Sequence, residues 1–285
     1  MPNYKAELIG VFGHPVNENP TVAVQEAAFK ALGLNWRYLT VEVLPENLED
    51  AMRGVRAFGM RGINLTIPHK IAVMKYLDSI ADDAKVIGAV NTVVNREGKL
   101  HGENTDGKGF ITSLTQEGKT SIPGKRIVIL GAGGAARAIA VELALRGAGE
   151  ITIVNRGRER GQDLTRTIAA HSATRASYVA WNGILKIPES TDILINATSI
   201  GLFPNIDEKP LIDYDTIRSA MVVCDVIPNP PRTPFLKEAE KRGATAIDGL
   251  GMLVNQGAIG FTLWTGRDAP VEVMREALAK EFRAV

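Results

Sequence analysis

Between Arg126 and Val154 the chain reads strand, glycine turn, helix, strand, and this one βαβ unit restricts the fold more than any other feature of the sequence. The apolar run Ile127-Val128-Ile129-Leu130 leads straight into Gly131-Ala132-Gly133-Gly134-Ala135-Ala136-Arg137-Ala138, and a second strand follows at Ile151-Thr152-Ile153-Val154. Parallel strands joined through a helix imply an α/β architecture with helices covering the sheet. The turn has the form G-x-G-x-x-A. Gly131 permits the tight turn, Gly133 lets a pyrophosphate approach the backbone, and Ala136 is small enough for helix to pack on strand. The helix start then offers free N–H groups and the positive end of its dipole to phosphates. Glycine turns also occur for structural reasons alone. The strand before, the helix after and the second strand are what predict a dinucleotide, held by Gly131, Ala132, Gly133, Gly134 and Ala135.

The type of dinucleotide is also legible. NAD-binding units carry an acid about 20 residues past the turn, at the end of the second strand, to hold the ribose 2′-OH. Here that place is Asn155, 24 residues after Gly131, followed by Arg156-Gly157-Arg158-Glu159-Arg160. With the acid missing and arginines present, the segment suits a 2′-phosphate and predicts NADP. The competing reading is a solvated basic helix start.

The same alternation of apolar runs and helical patterns extends along the chain. Strands are expected at 6–12, 38–43, 63–66, 89–94, 100–103, 176–181, 193–196, 221–225 and 245–248. Helices are expected at 21–32, 48–58 and 71–80, and from Leu250 onward, with a break at Thr265-Gly266-Arg267-Asp268-Ala269-Pro270. A chain of 285 residues is long for one core and comfortable for two. Domain boundaries are expected near 110 and 245, giving 1–110 with 246–285 as one domain and 111–245 as the other.

Net charge is +1, from 33 basic and 32 acidic residues. That balance gives no reason to expect nucleic acid or a membrane surface as a partner. The one cysteine, Cys224, lies in Met221-Val222-Val223-Cys224. Aliphatic neighbours raise a thiol pKa, so Cys224 is expected to be buried and structural, in a reducing compartment. The start Met1-Pro2-Asn3-Tyr4-Lys5 lacks the apolar stretch of a signal peptide, and no segment approaches the about 20 apolar residues that span a bilayer. A cytoplasmic protein is expected. The histidines, His14, His69, His101 and His171, show no metal-ligand spacing, so no metal is expected.

Three polar strings precede the glycine turn. They are Gly62-Ile63-Asn64-Leu65-Thr66-Ile67-Pro68-His69-Lys70, Gly88-Ala89-Val90-Asn91-Thr92, and Gly102-Glu103-Asn104-Thr105-Asp106-Gly107. Read singly, they are a surface lysine, an amide in an apolar stretch, and a turn or helix cap. Together they supply a cation whose pKa can shift, a carboxylate and an amide. A lysine beside an aspartate can give and accept a proton at an alcohol or ketone oxygen, which hydride transfer requires. His69 is read as structural.

With the glycine turn, Asn155-Arg156, Asn196-Ala197-Thr198-Ser199 and the run Asp248 to Gln256, these strings resemble the shikimate/quinate dehydrogenases along essentially the whole chain. The resemblance implies an N-terminal α/β substrate domain, a Rossmann-type NADP domain, and C-terminal helices returning to the substrate domain. It implies interconversion of a ring alcohol and ketone, as in 3-dehydroshikimate to shikimate. Lys70 and Asp106 match the catalytic pair, and Thr66, Asn91 and Gln256 match residues that hold ring hydroxyls. Asn155, Arg156 and Arg160 fall where the family grips the 2′-phosphate, and Thr198, Ser199, Gly249 and Met252 fall beside the cofactor. A monomer or a homodimer is compatible with the family.

Two departures bear on the substrate. The family reads G-x-P-(hydrophobic)-x-H-S-x-S-P near the N-terminus, with two serines on the substrate carboxylate. This chain reads Gly13-His14-Pro15-Val16-Asn17-Glu18-Asn19-Pro20-Thr21-Val22, so the serines become Asn19 and Thr21, and the following His-Asn becomes Gln25-Glu26. An amide and a hydroxyl can still donate to a carboxylate, but with altered geometry and with Glu18 adding negative charge. In Asp225-Val226-Ile227-Pro228 a proline stands where the family commonly has tyrosine. Quinate or another ring hydroxy acid, with NAD in place of NADP, stays open beside shikimate with NADP. A non-catalytic ligand sensor is disfavoured, since a sensor needs neither Lys70 nor Asp106.

Overall fold

The structure is a computed structural model and describes residues 4–282; the first three residues, part of the N-terminal expectation above, lie outside the described residues. The chain divides into two compact units. One runs to Thr105 and resumes at Val254, and the other spans Asp106–Leu253.

The first unit contains β1 (Glu7–Gly13), α1 (Thr21–Ala31), β2 (Trp36–Glu42), α2 (Leu48–Ala57), β3 (Gly62–Leu65), α3 (His69–Ala72), β4 (Ser79–Ile80), α4 (Asp82–Ile87), β5 (Thr92–Arg96) and β6 (Lys99–Glu103). Its strands form one sheet in the order β2-β1-β3-β5-β6-β4. β1 runs parallel to β2 and β3, whereas β5 is antiparallel to β3 and β6. The burial of Phe12, Ile63, Leu65, Val93 and Leu100 beneath Leu48, Met52 and Val55 of α2 makes its core.

The second unit contains α5 (Asp106–Gln116), β7 (Arg126–Leu130), α6 (Gly134–Leu145), β8 (Glu150–Asn155), α7 (Arg158–His171), β9 (Arg175–Ala180), β10 (Leu185–Lys186), β11 (Ile193–Asn196), β12 (Ile212–Asp213), β13 (Val222–Asp225), α8 (Pro234–Lys241) and β14 (Thr245–Ile247). Six strands form a sheet in the order β14-β13-β11-β7-β8-β9, with all neighbours parallel. That is the doubly wound order of a Rossmann-type fold, whose reversal point lies between β7 and β11. β11 and β13 are buried along their whole length, which is why they read as unbroken apolar runs. A Thr233 cap, accepting from the Leu236 N–H, and Pro234 at the first position start α8.

The last helices are α9 (Gly249–Thr265) and α10 (Val271–Glu281). Within the first unit, the indole N–H of Trp264 donates to the Val93 carbonyl at 2.9 Å, and Phe261 stacks on Phe29 at 5.7 Å. The C-terminal segment thereby closes one face of the first sheet. Among the described residues no helix is long and apolar enough to cross a membrane.

Two expectations shift. The helix expected over 71–80 breaks up: α3 passes into a 3-10 turn at Val73–Tyr76, and Ser79–Ile80 pairs with β6 instead. Asp78 explains the break, because its carboxylate accepts from the Leu100 N–H at 2.8 Å and from Arg56 at 3.0 Å, fixing an extended chain there. The division of units falls at 105/106 and 253/254 rather than near 110 and 245. α5 goes with the second unit because Gly107 seats it against α6, where a Cβ would stand 2.5 Å from the Ala138 carbonyl oxygen.

Candidate functional site

In the first unit, β3 ends at Leu65 and hands the chain to Thr66 and then to α3, which carries Lys70. A Cβ on Gly13 would lie 2.3 Å from the Thr66 methyl, so Thr66 is packed directly on the end of β1. His69 is buried, with its Nε2 2.7 Å from the Val43 carbonyl, a structural post under the lysine. The Lys70 carbonyl accepts from the Val90 N–H at 2.8 Å, which ties the lysine's helix to the Gly88-Thr92 string.

That string delivers Asn91 into a buried polar cluster. Asn91 Nδ2 donates to Thr105 Oγ1 at 3.0 Å, and the Thr105 N–H donates to Asn91 Oδ1 at 2.8 Å. Thr105 Oγ1 in turn lies 3.4 Å from Gln256 Oε1, and Thr92 Oγ1 lies 3.2 Å from Thr105 Oγ1. Strings from four places in the sequence, carrying Lys70, Asn91, Thr105 and Gln256, are thus brought together. Asn104 Nδ2 bonds the Ala89 carbonyl at 3.0 Å and pins the same corner.

Asn19 and Thr21 lie at the start of α1, where Asn19 Oδ1 accepts from the Thr21 N–H at 3.0 Å. Sequence reasoning missed what stands behind them. Tyr38, buried on β2, donates its hydroxyl to Asn64 Oδ1 at 2.7 Å, and Asn64 Nδ2 bonds the Asn91 carbonyl at 3.1 Å and Thr92 Oγ1 at 3.0 Å. The available signal was Asn64 itself, a lone amide inside the wholly buried strand Gly62-Ile63-Asn64-Leu65.

In the second unit, Gly131 has φ +108°, and a Cβ there would stand 2.8 Å from the Ala197 carbonyl oxygen. A side chain is excluded on both counts. Gly133 and Gly134 face open space at the start of α6. The residues therefore form a cradle that fits a pyrophosphate. Asn155 ends β8 with its amide folded onto the Gly157 carbonyl at 2.8 Å, and Arg156 and Arg158 are exposed. A cleft of about 400 Å³ opens beside the turn, lined by Ala132, Arg137, Glu159, Arg160, Asp163 and Arg166.

The cleft's charges are not equivalent. Arg137 bonds Asp163 and Thr167, and Arg166 lies 3.5 Å from Asp163. Arg160 has no ion-pair partner among the described residues. Arg137 and its Asp163 partner were not singled out in the sequence, although Arg137 sits inside the glycine string.

At the C-terminal ends of β11 and β13 a second buried network holds the loops. Asp225 accepts from Thr233 Oγ1 at 2.7 Å, from Asn196 Nδ2 at 3.1 Å and from the Ile227 N–H at 3.1 Å. Asn196 Oδ1 accepts from Thr198 Oγ1 at 2.7 Å, so the Thr198 hydroxyl caps its own turn, while Ser199 is exposed. Burial raises the Asp225 carboxyl to about 6 against these hydrogen bonds, which lower it. Gly249 lies against the Ile227 backbone, where a Cβ would meet the carbonyl carbon at 2.5 Å, and Met252 is half-buried. Asp106 opens α5 and is half-buried.

Comparison with known proteins gives matches over most of the chain. Residues 11–93 match the shikimate dehydrogenase substrate binding domain, residues 113–227 the shikimate / quinate 5-dehydrogenase family, and residues 249–279 the shikimate 5'-dehydrogenase C-terminal domain. The shikimate dehydrogenase (NADP(+)) of Methanopyrus kandleri is 47% identical over 281 residues, covering 98% of this chain and 97% of that protein. The ligand-free 5-ketofructose reductase of Gluconobacter sp. strain CHM43 superposes with a TM-score of 0.94 at 50% identity, covering 98% and 99%. A shikimate dehydrogenase in complex with NADP+ gives 0.90 at 45% identity, covering 99% and 98%.

Proposed function

Because the chain belongs to the shikimate/quinate dehydrogenase family, we propose that it is an NADP-dependent oxidoreductase in which Lys70 and Asp106 handle the proton while a secondary alcohol and a ketone interconvert. The substrate pair best supported by the family matches is shikimate and 3-dehydroshikimate, with quinate as the alternative acid. The observation that carries the reading is the convergence of Lys70, Asn91, Thr105 and Gln256 in the first unit, through the Val90–Lys70 bond and the Thr105 cluster. In the chain itself, Thr105 leads directly into Asp106.

NADP+, when bound, supplies the hydride acceptor for the carbinol carbon. The hydroxyl proton must then leave to the protein, and Lys70 takes it, returning it to the ketone oxygen in the reverse direction. Asp106 stabilises the charged lysine. Thr66, Asn91 and Gln256 hold ring hydroxyls, and Asn19 and Thr21 take the group opposite. Gly131 to Ala135 hold the pyrophosphate, and Asn155, Arg156 and Arg160 hold the 2′-phosphate. Thr198, Ser199, Gly249 and Met252 line the nicotinamide end. With no acid at position 155, NADP is the working cofactor and NAD the weaker one.

A second reading draws on a specific observation. Asn19 and Thr21 replace the carboxylate-binding serines, and the neighbour at 50% identity is a 5-ketofructose reductase. A neutral polyhydroxy ketone therefore stands beside the ring acid as a substrate of the same chemistry. The lone, buried Cys224 supports a reducing, cytoplasmic setting.

Absorbance of the reduced cofactor tests the reading, with shikimate and quinate as donors, NADP and NAD as acceptors, and 5-ketofructose as the substrate for NADPH oxidation. Turnover with NADP on one of these is expected. A folded protein that binds NADPH and turns over none of them would overturn it.

A further inference from the structure

The cleft beside the glycine turn is lined by three arginines and two acids, one positive charge net, whereas a 2′-phosphate brings about two negative charges. Asp163 accounts for much of that restraint. One of its carboxylate oxygens takes Arg137 and the other lies 3.5 Å from Arg166, so a single acid sits between two of the three guanidinium groups. Arg137 is held by both arms of its fork, because its Nη1 donates to Thr167 Oγ1 at 3.1 Å, one turn further along α7. The guanidinium is thereby drawn from the first turn of α6 onto the flank of α7.

A partly exposed ion pair of this kind adds little to stability, because water and salt screen it. Its effect on a charged ligand is a separate matter. A carboxylate in the wall of a cleft lowers the potential that an anion inside it feels, whether or not the pair supports the fold. NADPH and NADH share the pyrophosphate and differ at the 2′ position, so an acid at this place acts on one cofactor and hardly on the other.

We infer that Asp163 sets the cofactor preference of this chain: it holds down the positive charge of the cleft, so that NADPH is favoured over NADH by less than the arginines alone would give. The inference rests on the proposed placing of the 2′-phosphate beside Asn155, Arg156 and Arg160. It goes beyond that placing by naming the acid that limits the grip. Asp163 acts here as a specificity-determining residue, remote from the reacting atoms.

Fluorescence titration of the full chain with NADPH and with NADH, at low and at high salt, tests it. Asp163→Asn keeps the side-chain shape and an oxygen for Arg137 while removing the charge. It is expected to tighten NADPH about fivefold at low salt, to leave NADH nearly unchanged, and to lose most of that gain at high salt. Arg137→Gln is expected to move the preference the other way, by about fivefold toward NADH, and it carries the same test should Asp163→Asn fail to fold. The double variant has the wild-type net charge and is expected to regain the wild-type preference. A pair that only braced α6 against α7 would behave differently: each single variant would weaken both cofactors, and the double variant would bind no better. An NADPH-to-NADH preference that stays level or falls in Asp163→Asn, or that fails to return in the double variant, would overturn the inference. A wild type that binds both cofactors alike and is indifferent to Arg160→Ala would remove the phosphate site together with the inference. Discrimination by the wild type, with an unmoved preference in Asp163→Asn, would remove the inference alone.

Discussion

Asn91 and Thr105 exchange two hydrogen bonds, side chain to side chain at 3.0 Å and backbone N–H to side chain at 2.8 Å, and both residues are buried. The pair locks the residue before Asp106 to the loop tied to Lys70. Asn91→Ala would leave the buried Thr105 N–H without its acceptor and take one bond from the Thr105 hydroxyl, which keeps Thr92 and Gln256, at a cost of about 1–3 kcal/mol. Urea unfolding should show a loss near 2 kcal/mol, together with reduced turnover. Unaltered stability would mean the pair contributes nothing to the fold.

Among the described residues, Arg160 is the cleft arginine with no acid at ion-pair distance. Its contact to a 2′-phosphate would be a charge-assisted bond, worth roughly 1.5–3 kcal/mol. Arg160→Ala is expected to weaken NADPH by about tenfold or more in a fluorescence titration and to leave NADH nearly unchanged. Equal losses for the two cofactors would remove Arg160 from phosphate recognition.

Asp225 predicts a pH dependence of stability. Its carboxyl is raised by burial from 3.8 to about 6 in the folded chain, so the native state takes up a proton there before the unfolded state does. Between about pH 4 and pH 6 the folded chain binds more protons at this site, and its contribution to stability therefore falls as pH rises. The full span corresponds to roughly 2–3 kcal/mol. Asp225→Asn should remove that slope from unfolding free energies measured across pH 4 to 7. An identical slope in the variant would place its origin elsewhere.

Cys224 is fully buried, and desolvation raises its thiol far above the ordinary range, with the neighbouring Asp225 charge adding to the shift. A thiolate reagent should leave the native protein unlabelled and react fully in denaturant. Rapid labelling of the folded chain would contradict this burial.

Much of this was legible in the sequence, for physical reasons. The strands of the second unit are covered on both faces, so β7, β11 and β13 appear as continuous apolar runs, and Gly131 marks a turn that no side chain allows. The polar strings that hold Lys70, Asn91 and Asp106 were also visible, Asn91 as an amide in an apolar stretch, whereas Gln256 came only from the family resemblance. What stayed hidden depends on distant partners. Ser79–Ile80 became a strand because Asp78 is held by Leu100 and Arg56, 22 residues away on either side. Arg137 reads as part of a glycine turn until α7 supplies Asp163. Tyr38 meets Asn64 across 26 residues, and no local pattern announces that pairing. α5 begins Asp106-Gly107-Lys108-Gly109, a weak helix former that holds because Gly107 lets it sit on α6.

Lys70 is the group proposed to move the substrate proton. Turnover of Lys70→Ala, measured alongside its NADPH affinity, tests that most directly. The predicted result is a loss of activity of about 100-fold or more, the usual worth of a general acid–base group, with NADPH bound as tightly as by the wild type. Turnover within a few-fold of the wild type would contradict it.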